Sequence, residues 1–152
     1  MKIFQELIDN GLIKEEKIDF ALIKKVLVKS HRGIKSAQLL LEDGDCEGSY
    51  ELAYESMLLA GRALVFSFDF RPRAAGSHKI VIDFVKQIMV GENSKLVFKF
   101  NKMRKNRHYL IYGAGLAISQ TEAKNAISSA TILLEKIEKM IEKNNPQRKL
   151  EL

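Results

Sequence analysis

Between Leu52 and Phe68 the chain sets apolar residues on nearly every side of a helix, with Leu52, Met57, Leu58, Leu59, Leu64, Val65, Phe66 and Phe68 wrapping most of its circumference. A helix that is apolar almost all round has to be enclosed by other elements of the same fold. Small residues at Ala53, Ala60, Gly61 and Ala63 allow a neighbouring helix to come close. The flanking chain is also helical in pattern. Ile23, Leu27, Ile34 and Leu41 precede the central segment, and Ala126, Ile127, Ala130, Leu133, Leu134, Ile137 and Ile141 follow it at steps of three and four. With 2 Pro and 9 Gly in 152 residues, breakers are too few for the turns of an all-β chain. The pattern predicts an all-α fold, an antiparallel up-and-down bundle of four to five main helices. One domain is expected over residues 1–152. A domain of this length buries about 68–70% of its unfolded surface and needs no staple.

Boundaries follow from caps and breakers. A short helix over residues 3–8 is expected to stop at Asn10-Gly11. The first long helix spans residues 18–41, with Lys24, Lys25, Lys29 and Lys35 largely outside its apolar stripe. Gly33 weakens it by about 1 kcal/mol relative to Ala. Residues 42–48, EDGDCEG, read as an acidic loop, and the central helix as residues 49–70. Arg71-Pro72-Arg73-Ala74-Ala75-Gly76 is the clearest loop. Ser77 is the expected N-cap of a third helix over residues 78–90, ending at Gly91. Ser94 opens a fourth helix that ends near Tyr112, ahead of Gly113 and Gly115. Ser119-x-x-Glu122 fits a capping box for the last helix. The polar tail from about residue 145 is expected to fray.

The formal charge of +6 permits an acidic partner without requiring one. The lone Cys46 excludes an internal disulfide and a multi-cysteine metal site. Glu6 and Asp9 stand where a secretory signal needs an apolar run. No uncharged stretch reaches the roughly 18–20 apolar residues of a membrane span. An intracellular, cytoplasmic, soluble protein with no membrane partner is therefore expected. The chain carries no P-loop, Rossmann glycine string, HExxH or GxSxG, and its three histidines lie far apart. No cofactor and no metal are expected.

Chemistry concentrates in residues 102–113. The apolar seam of the fourth helix runs Leu96, Phe100, Met103 and then Leu110. The position that continues it is Arg107, a guanidinium where packing calls for leucine. Unpaired burial would cost several kcal/mol, so Arg107 must meet a carboxylate, a phosphate or the water of a cleft. Arg104, Arg107 and His108 share one helix surface at i, i+3 and i+4, and Tyr112 lies one turn further on. Arginine binds phosphate bidentately and histidine moves protons near neutral pH. A structural reading stands beside this. Basic residues near a helix C-terminus favour the dipole, and Glu55 on the central helix could serve Arg107 as counter-ion. His78 reads as a phosphate or interface contact, or as a helix-start residue satisfying loop groups. Arg71 and Arg73 extend the basic surface toward Arg104 or lie in a solvated loop. His31 reads as a surface residue.

The string Ala53-Tyr54-Glu55-Ser56-Met57-Leu58-Leu59-Ala60-Gly61-Arg62-Ala63-Leu64, then Phe70-Arg71-Pro72-Arg73 and Gly76-Ser77-His78-Lys79, resembles the centre of HEPN domains (higher eukaryotes and prokaryotes nucleotide-binding). In that family such a helix leads to a GYRP-like loop, a GxH helix start, and an R-x-x-R-N-x-x-x-Y motif. Arg104, Arg107 and Tyr112 match the last, with His108 in place of Asn. Gly11-Leu12-Ile13 and the Ala-rich last helix are also similar to the family, so the likeness covers roughly residues 7–141. The resemblance implies an up-and-down bundle, often a homodimer with the motif helices facing across the two-fold. Many members are metal-independent endoribonucleases with R-polar-x(3–5)-H, in which Arg holds the scissile phosphate and His moves the proton as the 2′-hydroxyl attacks. Others bind RNA or nucleotides, or pair with a small nucleotidyltransferase in toxin–antitoxin-like systems. Here the expected histidine position, counted from Arg107, is Tyr112, a poor general base at pH 7. Arg104-x-x-x-His108 is one residue shorter than the nuclease spacing. The expected function is therefore binding of RNA or nucleotide phosphates by Arg104, Arg107, His108 and Tyr112, with Arg71, Arg73 and His78 as further candidates. The alternatives are an endoribonuclease using Arg107, His108 and Tyr112, and a protein-binding adaptor.

Overall fold

Three long helices start at a side chain that replaces a missing backbone partner. In the computed structural model, which describes residues 4–73, 77–113, 117–146, 150 and 152, Asp19 accepts from the Leu22 amide to open α2 (Phe20–Glu42). Asp45 accepts from the Gly48 amide at 2.8 Å to open α3 (Cys46–Ser67). Ser119 and Glu122 form the reciprocal capping box expected for α6 (Gln120–Asn144). The remaining elements are α1 (Gln5–Asp9), β1 (Ile13–Glu15), β2 (Phe70–Pro72), α4 (His78–Ile88), a 3-10 turn (Gly91–Asn93) and α5 (Ser94–Ile111).

The helical bundle is as expected, and several local expectations are corrected. The acidic residues 42–48 are mostly helix. Only Asp43, Gly44 and Asp45 separate α2 from α3, because Gly44 takes φ +87° and Asp45 caps at once. The central helix stops at Ser67 rather than residue 70. Asp69 turns the chain at φ 66°, and its backbone and side chain accept from the amides of Glu16 and Ile18. Phe70, read as the end of the central helix, and Arg71-Pro72, read as loop, then pair antiparallel with β1, placing Ile13 opposite Pro72 and Glu15 opposite Phe70. Three-residue strands are too short to leave a periodic trace. Ser77 occupies the N-cap of α4 but makes no capping bond there. His31 is half-exposed and pairs with Glu138 at 2.6 Å, tying α2 to α6. Burial raises the Glu138 carboxyl above its usual range, and the His31 partner opposes the rise. In the expected frayed tail, Leu150 packs against the main core. Residues 147–149 and 151, and the loop residues Ala74, Ala75, Gly76 and Gly115, lie outside the described residues.

The main core surrounds α3, as its all-round apolar pattern demands, with Ile23, Leu27, Met57, Leu58, Leu64 and Leu134 among its buried members. α2 approaches α3 at Gly33, where an added Cβ would meet the Ser56 hydroxyl, and Ser30 donates to the Ser56 carbonyl at 2.7 Å. α4 approaches at Gly61. A second cluster, Phe4, Leu7, Ile13, Val65, Phe70 and Phe84, seals the strand pair against α3 and α4. No helix among the described residues is long and apolar enough to cross a membrane.

Candidate nucleic-acid interface

α5 docks on the core through Val97, Phe100 and Met103. One turn later the seam meets Arg107. Its Nη2 lies 2.9 Å from Glu55 Oε1 of α3, and its guanidinium carbon lies 5.7 Å from the centre of the Tyr54 ring. Both readings of Arg107 therefore meet in one side chain. It has an intramolecular carboxylate, yet its side chain is 27% exposed and that of Glu55 39%. Arg107 Nε is buried and has no hydrogen-bond partner among the described residues.

Beside this pair opens a cleft of about 750 Å³ between α4 and α5. Arg104, Arg107, His108 and Tyr112 all line it, joined by His78 from α4. Lys79, Lys102 and Lys105 complete a basic wall, and no carboxylate is among its described lining residues. Arg104 is held by its Nε donating to Asn101 Oδ1 at 3.1 Å, and among the described residues it has no carboxylate within ion-pair reach. His108 is exposed, with its ring 4.7 Å from that of Tyr112, and no hydrogen bond orients it among the described residues. α5 carries six cations, Lys95, Lys99, Lys102, Arg104, Lys105 and Arg107, and no acid. The other 19 basic and 19 acidic residues of the chain cancel, so α5 accounts for the whole net charge of +6.

His78 enters the site through a residue that sequence reading did not single out. Tyr54 is fully buried, and its hydroxyl lies 3.0 Å from His78 Nδ1. Burial raises the Tyr54 phenol far above its usual range, so it keeps its proton. That proton has no other acceptor among the described residues, and the hydroxyl therefore donates to Nδ1. Burial, and then the nearby Arg107 charge, lower the His78 pKa. Both effects hold the ring neutral with its hydrogen on Nε2, a donor. Tyr54 and Glu55 lie in the family-like string of the central helix, but only folding shows that they reach α4 and α5.

Arg71 and Arg73 are not brought to the cleft. Arg71 lies on β2, 3.6 Å from Glu16, and the Arg73 amide donates to the Leu12 carbonyl beside β1. The strand pairing brings the Arg71 side chain and the Arg73 backbone to the N-terminal segment. Among the described residues no cluster of His, Cys, Asp or Glu is placed to share a metal ion.

The HEPN domain model matches residues 23–140, from the first turn of α2 to near the end of α6. The chain belongs to the HEPN family. No curated protein matches it. The HEPN match contains α4, α5 and every residue of the cleft, whereas α1 and β1 precede it.

Proposed function

We propose that this HEPN chain binds the phosphates of RNA or of nucleotides in the α4–α5 cleft, and that it binds without turnover. The observation that carries the reading is the convergence of Arg104, Arg107, Lys102 and Lys105 on one cleft whose described lining has no carboxylate. Two guanidiniums offer bidentate, charge-assisted bonds to phosphate oxygens. The His78 Nε2–H adds a neutral donor. Binding without turnover is favoured by Tyr112 at the expected histidine position, and by the lack, among the described residues, of a hydrogen bond that orients the His108 ring.

Fluorescence anisotropy with a labelled single-stranded RNA and with labelled ATP, at about 50 mM salt, tests the reading. Binding is expected to weaken linearly in log–log form as salt rises. Arg104→Ala should weaken it and reduce the slope for single-stranded RNA by about 0.7. No binding of either ligand at low salt would overturn the proposal. Incubation of a mixed RNA pool in EDTA separates binding from catalysis: cleavage by the wild type that disappears in His108→Ala would replace this reading by the endoribonuclease.

A further inference from the structure

The solvent side of α5 carries a second stripe. Phe98, Lys102, Lys105, Tyr109 and Tyr112 succeed one another at steps of four, three, four and three, so they follow one line along the helix. The line is displaced by two residues, about 200°, from the seam of Phe100, Met103 and Arg107. All five side chains are exposed, and the end rings are the most open, Phe98 at 72% and Tyr112 at 73%. Tyr112 lies at the phosphate cleft. Phe98 lies in a second cleft of about 800 Å³ with Val90, edged by Lys86, Lys95 and Lys99. Lys102 lines both clefts, so the two adjoin at its side chain. The carboxylate in the second cleft, Asp83, is engaged by Lys79 at 3.0 Å.

The chemistry of the stripe selects its occupant. A second copy laid α5 to α5 across a two-fold would set lysine against lysine, because α5 has no acid to answer them. An apolar peptide would find rings separated by ammonium groups rather than a continuous greasy patch. A duplex keeps its bases stacked on one another and away from protein rings. A single strand offers both complements, phosphates for the cations and free base faces for the rings.

We infer that the outer face of α5 is a track for single-stranded nucleic acid, running from the phosphate cleft to a base-stacking subsite at Phe98. The fourteen steps from Phe98 to Tyr112 rise about 21 Å. That length holds about six nucleotides at a rise of roughly 3.4 Å each, and fewer if the strand is extended. The inference rests on the phosphate-binding reading and names the ligand class for it.

A length series of labelled oligouridines from two to ten nucleotides, with ATP as the mononucleotide, tests the track by anisotropy at low salt. Affinity is expected to rise with length and level off near six. Phe98→Ala should weaken the six-mer about fivefold or more, the lower end of base–aromatic stacking, and leave the dinucleotide unchanged. Phe98→Trp should restore the six-mer. Circular dichroism of each variant checks that the fold is intact. If ATP binds as tightly as the six-mer, or Phe98→Ala leaves the six-mer unaffected, the track is refuted while the phosphate cleft stands. If neither RNA nor ATP binds, both proposals fall. If sedimentation shows a dimer that Phe98→Ala dissociates, the face belongs to a second copy and the track is refuted.

Discussion

Replacing Glu55 by glutamine removes the charge opposite Arg107 while keeping a carbonyl oxygen in reach of its N–H groups. The consequence depends on how deeply the pair is sunk. A sequestered pair that loses one partner costs about 3–5 kcal/mol, because the other charge is stranded. Here the two side chains are 27% and 39% exposed, so water screens the 2.9 Å contact. The loss should be below about 1 kcal/mol, near the value of surface pairs. For a chain of this size the melting temperature then falls by less than about 4 °C. Ligand affinity moves the other way. A phosphate held by Arg107 sits within roughly 4–8 Å of the Glu55 carboxylate, a repulsion of about 0.5–1 kcal/mol in a water-like medium. Removing it should tighten binding about two- to fivefold. Urea unfolding followed by circular dichroism gives the first quantity, and RNA anisotropy at low salt gives the second. A stability loss of about 3 kcal/mol or more, with affinity unchanged or weaker, would refute the reasoning. Arg107 would then be a structural cation and its place in the seam would need no ligand.

Three further outcomes are expected. Ser119→Ala removes the hydroxyl that accepts from the Glu122 amide, and should cost about 1 kcal/mol; an unshifted denaturation midpoint would mean that the capping box contributes nothing. Gly61→Ala places a Cβ 2.6 Å from Val81 Cγ1 where α3 meets α4. Overpacking there should cost about 1–3 kcal/mol, and a neutral result would show that α4 can shift freely. The pH dependence of stability should carry a His78 component. Its folded pKa lies below the ordinary value of about 6.5, so the unfolded chain takes up the proton first as pH falls. The unfolded state binds more protons in that window, and stability contributed by neutral His78 is lost as pH drops through the folded pKa. Unfolding measured at about pH 7.5 and about pH 5.5 should show a smaller loss in His78→Gln than in wild type. Equal losses would mean that burial and the Arg107 charge do not hold the ring neutral.

The helices and their core were legible because periodicity is a local signal. The all-round apolar pattern of residues 52–68 already required a central helix, and the Ser119 capping box marked the start of α6 within one residue. The seam through Phe100 and Met103 exposed Arg107 as its odd member. Reading failed where order comes from pairing between distant segments. β1 and β2 are three residues each and exist because Asp69 turns the chain and accepts from Glu16 and Ile18. The same pairing carried Arg71 and Arg73 away from the cleft, although their charge and nearby Pro72 had suggested a basic extension.

From the order of residues alone came the helical bundle, the family likeness, and the cluster of Arg104, Arg107, His108 and Tyr112 on one helix, all properties of spacing along a single element. Tertiary structure alone decided that Arg107 shares itself between Glu55 and an open cleft, that the buried Tyr54 hydroxyl sets the hydrogen on His78, and that His78 faces the α5 cations. Those outcomes depend on how closely α3, α4 and α5 approach one another, and burial, screening and proton position all follow from that approach.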